Sequence, residues 1–411
     1  MYESKFLSKR CNGVSLKGDV DILTIGALAK EAKSNNQNVI NATVGTLYDE
    51  YGHLYHMKTV DKIIKSLEDN DFYSYAPING GAKFQKSIIN WVLGNYKEEV
   101  LNNLQASVCA TPGGTGAVNN SIFSSLDEGE TLLLPDLFWG PYSKMAFINK
   151  VNVEKYTFIV DGKFNLQGFK EKSLEIIKHQ GKLVTILNDP CNNPTGYALS
   201  LEEFKELIDF INQIDAQCII IYDIAYLDYY IYGMDEARKK FQLISKINDN
   251  VVFDVCFSAS KTFSVYGMRL GALMVLAHNQ VDVDNSLETS MCLARTRWSS
   301  TNKAGEMLLV KIDEDTALKA AVIDDINVAA TLVRNRIELF NKEAEAIGLE
   351  IFPVRGGFFA CLKTNDGLKL YDKLIEAGIY VIPYKKAIRI ALCSLSMMEI
   401  KGLARKIKNC L

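Results

Sequence analysis

Between about residue 107 and residue 277 the chain alternates short, continuously apolar runs with longer amphipathic segments. The runs cover 107–111, 131–135, 183–188, 218–222, 251–257 and 271–277. A strand with one wet face alternates apolar and polar residues, whereas a strand covered on both faces reads as an unbroken apolar run. Between two of these runs, the segment 201–214 sets Leu201, Phe204, Leu207, Ile208 and Ile211 on one helical face. Ser200 and Glu203 supply a capping box at its start. Doubly covered strands separated by helices predict an α/β fold with a large domain built on a mainly parallel, doubly wound sheet.

The pattern changes further along. A helix over about 328–347 leads into a strand-like region, 349–362, broken by Gly356 and Gly357. A short helix ending at Gly378 follows, then apolar runs at 379–382 and 388–393 and a final helix. This predicts a smaller α+β domain. The piece through 39–45 precedes the large sheet and is expected to join it, which makes the small domain discontinuous. The expected division is 1–48 for the N-terminal segment and part of the small domain, 49–315 for the large domain, and 316–411 for the C-terminal small domain. At about 150 residues per domain, the length accommodates this.

Charge and cysteine usage narrow the partners. Lys and Arg total 46 against 49 Asp and Glu, a net charge of −3. Nucleic-acid binding ordinarily needs a basic patch, so no nucleic-acid partner is expected. No apolar run approaches the roughly 18 residues of a membrane helix, and the stretch from Met1 to Lys5 lacks the apolar core of a secretory signal. A cytoplasmic protein with no membrane partner is the expectation. The nine cysteines, at 11, 109, 191, 218, 256, 292, 361, 393 and 410, stand singly, with no two within four positions. That excludes a CxxC redox motif and a zinc knuckle, and leaves free thiols, several of them buried. His53 and His56 would share a helix face, but two histidines fall short of a metal's ligand number, and no metal is expected.

Four motifs close the apolar runs. Thr111-Pro-Gly-Gly-Thr-Gly-Ala-Val118 is a glycine-rich turn between a strand and a helix, where backbone amides and a helix N-terminus can hold an anion. It lacks the Gly-Lys-Ser/Thr of a P-loop and the third glycine of GxGxxG, since Asn119 stands there. Ser258-Ala-Ser-Lys261, followed by Arg269, suits a phosphate-bearing aldehyde: lysine attacks the carbonyl while serine and arginine hold the phosphate. Asn192-Asn193-Pro-Thr-Gly196 and Tyr222-Asp223-Ile-Ala-Tyr226 follow two further runs. Each motif has a plainer reading as a tight turn, a solvated basic loop or a helix cap. All four fall at the carboxyl ends of strands, where open α/β sheets place ligands.

With these residues in this order, the chain resembles the class I aminotransferases, pyridoxal-phosphate enzymes of fold type I, and in particular their aspartate-aminotransferase branch. The resemblance runs from Gly45 to Arg389. It implies that Lys261 is the Schiff-base lysine, that Asp223 pairs with the pyridine nitrogen, and that Asn193 and Tyr226 meet the phenolic oxygen. Gly114, Thr115, Ser258 and Arg269 match phosphate contacts, and Trp139 matches the ring stacked on the cofactor. Tyr75, in Tyr75-Ala-Pro-Ile-Asn-Gly80, matches a tyrosine reaching the neighbouring subunit's phosphate. Gly45 falls among the substrate-binding positions, together with Asn193 and Trp139. Arg389 matches the arginine that takes the substrate α-carboxylate, and Arg295 a second arginine kept by dicarboxylate-specific members. Two positions depart from the family pattern: Gly113 replaces a common serine, and Ser300-Thr301-Asn302 replaces Asn-Pro-Pro. The implied activity is ping-pong transfer of an amino group between an amino acid, aspartate- or glutamate-like favoured and aromatic possible, and a 2-oxo acid, in a homodimer. Fold alone leaves β-elimination, decarboxylation or a non-catalytic ligand sensor as alternatives; the presence of both Lys261 and Asp223 weighs against the sensor.

Overall fold

The computed structural model describes residue 14, residues 22–35 and residues 38–411. Its central sheet has seven strands: β1 (Gln105–Pro112), β2 (Thr131–Pro135), β3 (Asn152–Tyr156), β4 (Lys182–Asn188), β5 (Gln217–Asp223), β6 (Val251–Ser258) and β7 (Leu270–Ala277). They lie in the order β1-β7-β6-β5-β4-β2-β3, and β7 alone runs antiparallel to its neighbours. The expected runs account for every strand except β3. That edge strand reads Asn-Val-Glu-Lys-Tyr and is mostly solvent-facing, so it carries no apolar run to betray it.

Successive side chains of a strand point to opposite faces, and here each face meets helices. Leu183 and Leu187 of β4 and Ile220 and Tyr222 of β5 pack in one core with Phe204, Leu207, Ile208 and Ile211 of the helix Leu201–Ile211. Val184, Ile186 and Ile221 pack in the opposite core with Ala117, Val118 and Ile122 of the helix Gly113–Ser125. The sheet is doubly wound for this reason. The Ser200–Glu203 capping box forms, Glu203 N donating to Ser200 Oγ at 3.1 Å and Ser200 N to Glu203 Oε2 at 2.7 Å. Leu201, expected on the buried face, is 45% exposed, whereas Phe204 one turn on is fully buried.

Register decides where chemistry can gather. Asn188 lies opposite Asp223, Asp223 opposite Cys256, and Gly271 opposite both Ser258 and Thr111. The carboxyl ends of β1, β4, β5 and β6 therefore form one rim with the start of β7.

A smaller antiparallel sheet, β8 (Phe359–Lys363), β9 (Ile382–Tyr384) and β10 (Ala387–Ala391), is ordered β8-β10-β9. The N-terminal segment does join this unit: Ile40–Asn41 pairs in parallel with Ile379–Tyr380, and Ala391 N donates to Ala42 O at 2.9 Å. The long helix Thr316–Ala346 begins well before the expected residue 328, capped by Asp315, which accepts from Ala317 N and Leu318 N. Its fully buried Arg336 donates to Tyr48 O (2.9 Å) of the N-terminal segment, to Glu50 Oε1 (2.7 Å) just beyond it and to Cys393 O (2.8 Å) of the small domain.

Three smaller expectations meet the structure as follows. His53 and His56 lie in a loop and not on a helix, and His53 Nδ1 sits 3.3 Å from Asp49 Oδ2. Cys109, Cys191, Cys218, Cys256, Cys361 and Cys393 are free and buried, Cys292 is free and exposed, and Cys11 lies outside the described residues, as do 1–13, 15–21 and 36–37 of the expected N-terminal segment. No described helix is long and apolar enough to cross a membrane.

Candidate active site

A cavity of ≈ 570 Å³ opens at the sheet's carboxyl rim, between the large sheet and the small-domain segments Thr43–Gly45, Phe359 and Arg389. Of the residues singled out in the sequence, Gly45, Gly114, Thr115, Trp139, Asn193, Asp223, Tyr226, Ser258, Lys261, Arg269 and Arg389 line it.

Asp223 ends β5 at the cavity floor. Its Oδ1 accepts from Ala225 N (3.0 Å) and its Oδ2 from the Tyr142 hydroxyl (2.5 Å), while its carbonyl accepts from Asn188 Nδ2 (3.0 Å). Burial pushes the carboxyl up, and the Tyr142 and Ala225 hydrogen bonds oppose that by stabilising the anion. Burial also holds the Tyr142 hydroxyl well above its ordinary value, so it remains a donor. Tyr142 was not apparent from the sequence motifs. A signal exists: Pro141 occupies the first turn of the helix Pro141–Ile148, which brings Tyr142 back beneath Trp139, the rings meeting edge-on at 5.3 Å.

The anion cradle is built by close approach. The helix Gly113–Ser125 starts directly after β1, so its first amides and dipole face the cavity. Gly113 has φ +73°, and a Cβ there would lie 2.5 Å from Arg269 Nη2. A Cβ on Gly271 would lie 2.4 Å from the Gly113 carbonyl carbon. This explains the departure at Gly113: a serine would displace the guanidinium. Arg269 Nη1 donates to Ser260 Oγ (3.2 Å) and Tyr266 O (3.0 Å), beside the buried Ser258. Helix amides, two hydroxyls and a guanidinium form a donor set suited to a phosphate dianion.

Lys261 stands between this cradle and the small domain, its Nζ donating to Gly45 O at 2.5 Å and lying 4.7 Å from the Tyr266 ring centroid. Burial, with the cations Arg389 and Arg269 adding to it, brings its ammonium down to about 8. A lysine in that range supplies free amine near neutral pH. Tyr226 is buried edge-on to Phe358 and Phe359, and burial holds its hydroxyl well above the usual value.

Arg389 is 4% exposed, yet faces no carboxylate among the described residues. Its Nη1 donates to Asn193 Oδ1 (3.3 Å), its Nη2 to Thr43 O (2.8 Å), and its guanidinium lies 4.4 Å from the Phe359 ring centroid. Its Nε is buried without a partner. A buried cation with an orphaned N–H is costly unless an anion meets it. Asn193 is fixed by its own N–H to Asn188 Oδ1 (2.7 Å), and its Nδ2 retains donor capacity.

Tyr75 and Arg295 lie elsewhere. Tyr75 is 89% exposed, and Arg295, exposed in the last turn of the helix Gln280–Arg297, donates from Nη1 to Ser299 Oγ at 2.9 Å. Neither lines the cavity of its own chain. Conversely, Gly26, Ala27 and Lys30 of the helix Ile22–Asn35 do line it, with no motif in the sequence to announce them. A separate cavity of ≈ 430 Å³ around Asp254 and Ser290 shares none of these residues.

Fold and site together define a two-domain α/β enzyme with a cavity at the carboxyl rim of its sheet, lined by a buried carboxylate and a lysine brought down to about 8. The chain belongs to the class I and II aminotransferases, whose family model matches residues 37–407. A solved aminotransferase structure from Anaerococcus prevotii superposes with a TM-score of 0.92 at 31% identity, covering 98% of both chains. The mitochondrial aspartate aminotransferase of Saccharomyces cerevisiae is 25% identical over 349 residues, 75% of this chain and 76% of that one. An aromatic-amino-acid aminotransferase from Burkholderia pseudomallei, solved covalently bound to pyridoxal phosphate, shares the fold with a TM-score of 0.81 at 20% identity, covering 98% of this chain and 100% of that one.

Proposed function

We propose that this cavity is where the chain, an aminotransferase working with pyridoxal phosphate, moves an amino group between an aspartate- or glutamate-like amino acid and a 2-oxo acid. The observation that carries this is the placing of Lys261, its ammonium brought down to about 8, between the phosphate-type cradle and the unpaired, buried Arg389. Pyridoxal phosphate, when bound, supplies an electron sink for the charge that develops at the substrate Cα. Asp223 would keep a proton on the ring nitrogen, and Asn193 and Tyr226 would donate to the phenolic oxygen. Gly114, Thr115, Ser258 and Arg269 would hold the phosphate, and Trp139 would cover the ring face. Lys261 would take the proton from the substrate Cα and return it elsewhere. Arg389 would grip the α-carboxylate through two parallel N–H donors, a geometry lysine cannot offer.

A homodimer belongs to this reading. Tyr75 and Arg295 are both exposed, and a twofold axis would let each serve the partner's cavity reciprocally. So do a cytoplasmic location and domain boundaries at 48 and 315, the latter supported by the Asp315 cap that opens the long helix.

The test is reduction of the holoenzyme with borohydride followed by peptide mapping. The expected product carries the cofactor on Lys261, and Lys261→Ala binds cofactor but does not transaminate. A reduced adduct on another lysine refutes the assignment.

A further inference from the structure

Four cationic side chains line the cavity: Lys261, Arg269, Arg389 and Lys30. Under the proposed function the first three already have work, at the cofactor carbonyl, its phosphate and the substrate α-carboxylate. Lys30 has none, and it forms no ion pair or hydrogen bond among the described residues. Asp223, the one carboxylate in the lining among the described residues, sits at the floor against Tyr142 and Ala225.

Helix geometry places Lys30 on the substrate side. In the helix Ile22–Asn35, Ile25 and Ala29 are buried, and Lys33 pairs with Glu399 Oε1 at 2.6 Å, so that face is docked on the small domain. Gly26, Ala27 and Lys30 are spaced i, i+1 and i+4, which puts them together on the adjoining face that looks into the cavity. A Cβ built on Gly26 would lie 3.7 Å from Thr43 Oγ1, and Thr43 O is the acceptor of Arg389 Nη2. Lys30 stands just over one turn, about 6 Å, from Gly26 along the helix. Gly26, Ala27, Lys30 and Arg389 line the same cavity, Lys30 from an exposed position and Arg389 from a buried one.

We propose that Lys30 is a specificity-determining residue: its ammonium, from the same chain, receives the side-chain carboxylate of a dicarboxylic amino acid whose α-carboxylate is held by Arg389. This rests on the dicarboxylate reading given above and adds a second charge that does not depend on a partner subunit. An ammonium on a flexible stem suits a carboxylate at either aspartate or glutamate length, since it acts as a mobile point charge.

Holoenzyme carrying Lys30→Ala, Lys30→Arg or no substitution is assayed by steady-state kinetics with aspartate, glutamate and alanine as donors, at low and high salt. The expected result for Lys30→Ala is a rise in KM of about tenfold or more for aspartate and glutamate, with kcat little changed and alanine unaffected. Lys30→Arg restores most of the loss, and high salt narrows the gap between wild type and Lys30→Ala. If the wild type prefers dicarboxylates and Lys30→Ala keeps that preference, the role of Lys30 is refuted while the dicarboxylate reading stands. An equal loss for alanine also refutes it, because the effect would then be structural. A wild type without dicarboxylate preference refutes the substrate reading itself, and the role of Lys30 with it.

Discussion

Replacing Tyr142 with Phe removes one oxygen from beneath the proposed cofactor and leaves the ring. The ring's stacked contact with Phe138 (6.5 Å, 14° between planes) and its edge contact with Trp139 (5.3 Å) survive, so the hydrophobic core should keep its packing. What is lost is the 2.5 Å hydrogen bond to Asp223 Oδ2, made in a buried place where no water can substitute freely. A hydrogen bond to a charged group contributes about 1.5–3 kcal/mol. At about 1.4 kcal/mol per decade, full dependence of the reaction on ionised Asp223 gives a fall of roughly 10- to 150-fold in kcat/KM. The sign of the pH effect follows from the causes of the shift. Burial raises Asp223, and Tyr142 is the foremost of the groups that lower it. Without Tyr142 the carboxyl titrates higher, less of it is ionised at a given pH, and the acid limb of kcat/KM moves to higher pH. The loss is therefore greatest at the acid end. The assay is kcat/KM against pH for both proteins with one amino donor, with thermal melts to confirm that the fold is retained. An acid limb that stays in place, with kcat/KM within about twofold of wild type, would falsify the role given to this hydrogen bond.

Two further outcomes follow from the same geometry. Asp223→Ala leaves the proposed ring nitrogen without its buried counter-charge, a loss of about 3–5 kcal/mol for one side of a buried pair; turnover should fall by at least a hundredfold, read by single-turnover absorbance, and near-normal rates would remove Asp223 from the mechanism. Arg295→Ala, assayed with aspartate and with an uncharged amino acid, should impair aspartate selectively if a partner's Arg295 reaches the substrate, whereas an equal loss for both would assign its contact with Ser299 to structure.

The fold was legible because its strands are covered on both faces. Residues such as Leu183-Val184 or Ile220-Ile221 must be apolar on either side, and an unbroken apolar run is the one-dimensional trace of that burial. The strand-end motifs were legible for a related reason, since each combines residue types that carry local backbone or chemical meaning: Gly113 at φ +73°, the lysine after β6, the aspartate ending β5. The edge strand Asn152–Tyr156 was invisible because its side chains are mostly left in solvent, unlike those of the other edge strand, Gln105–Pro112, so no apolar demand falls on its sequence.

Other parts of the site depend on contacts between residues far apart in the chain. Tyr142 reaches Asp223 across 81 positions, Arg389 reaches Thr43 across 346, and Lys261 reaches Gly45 across 216. Local propensity and periodicity act over a few residues and contain no record of such meetings. Lys30 reads in the sequence as any exposed lysine, and it is exposed in the fold too; docking of the helix Ile22–Asn35 on the small domain is what sets it at the cavity. The residue types that do the chemistry were written in the sequence, in strand order. Their electrostatics were decided by the fold, because a carboxylate pushed up, an ammonium brought down to about 8 and an arginine left unpaired all require the burial that tertiary packing creates.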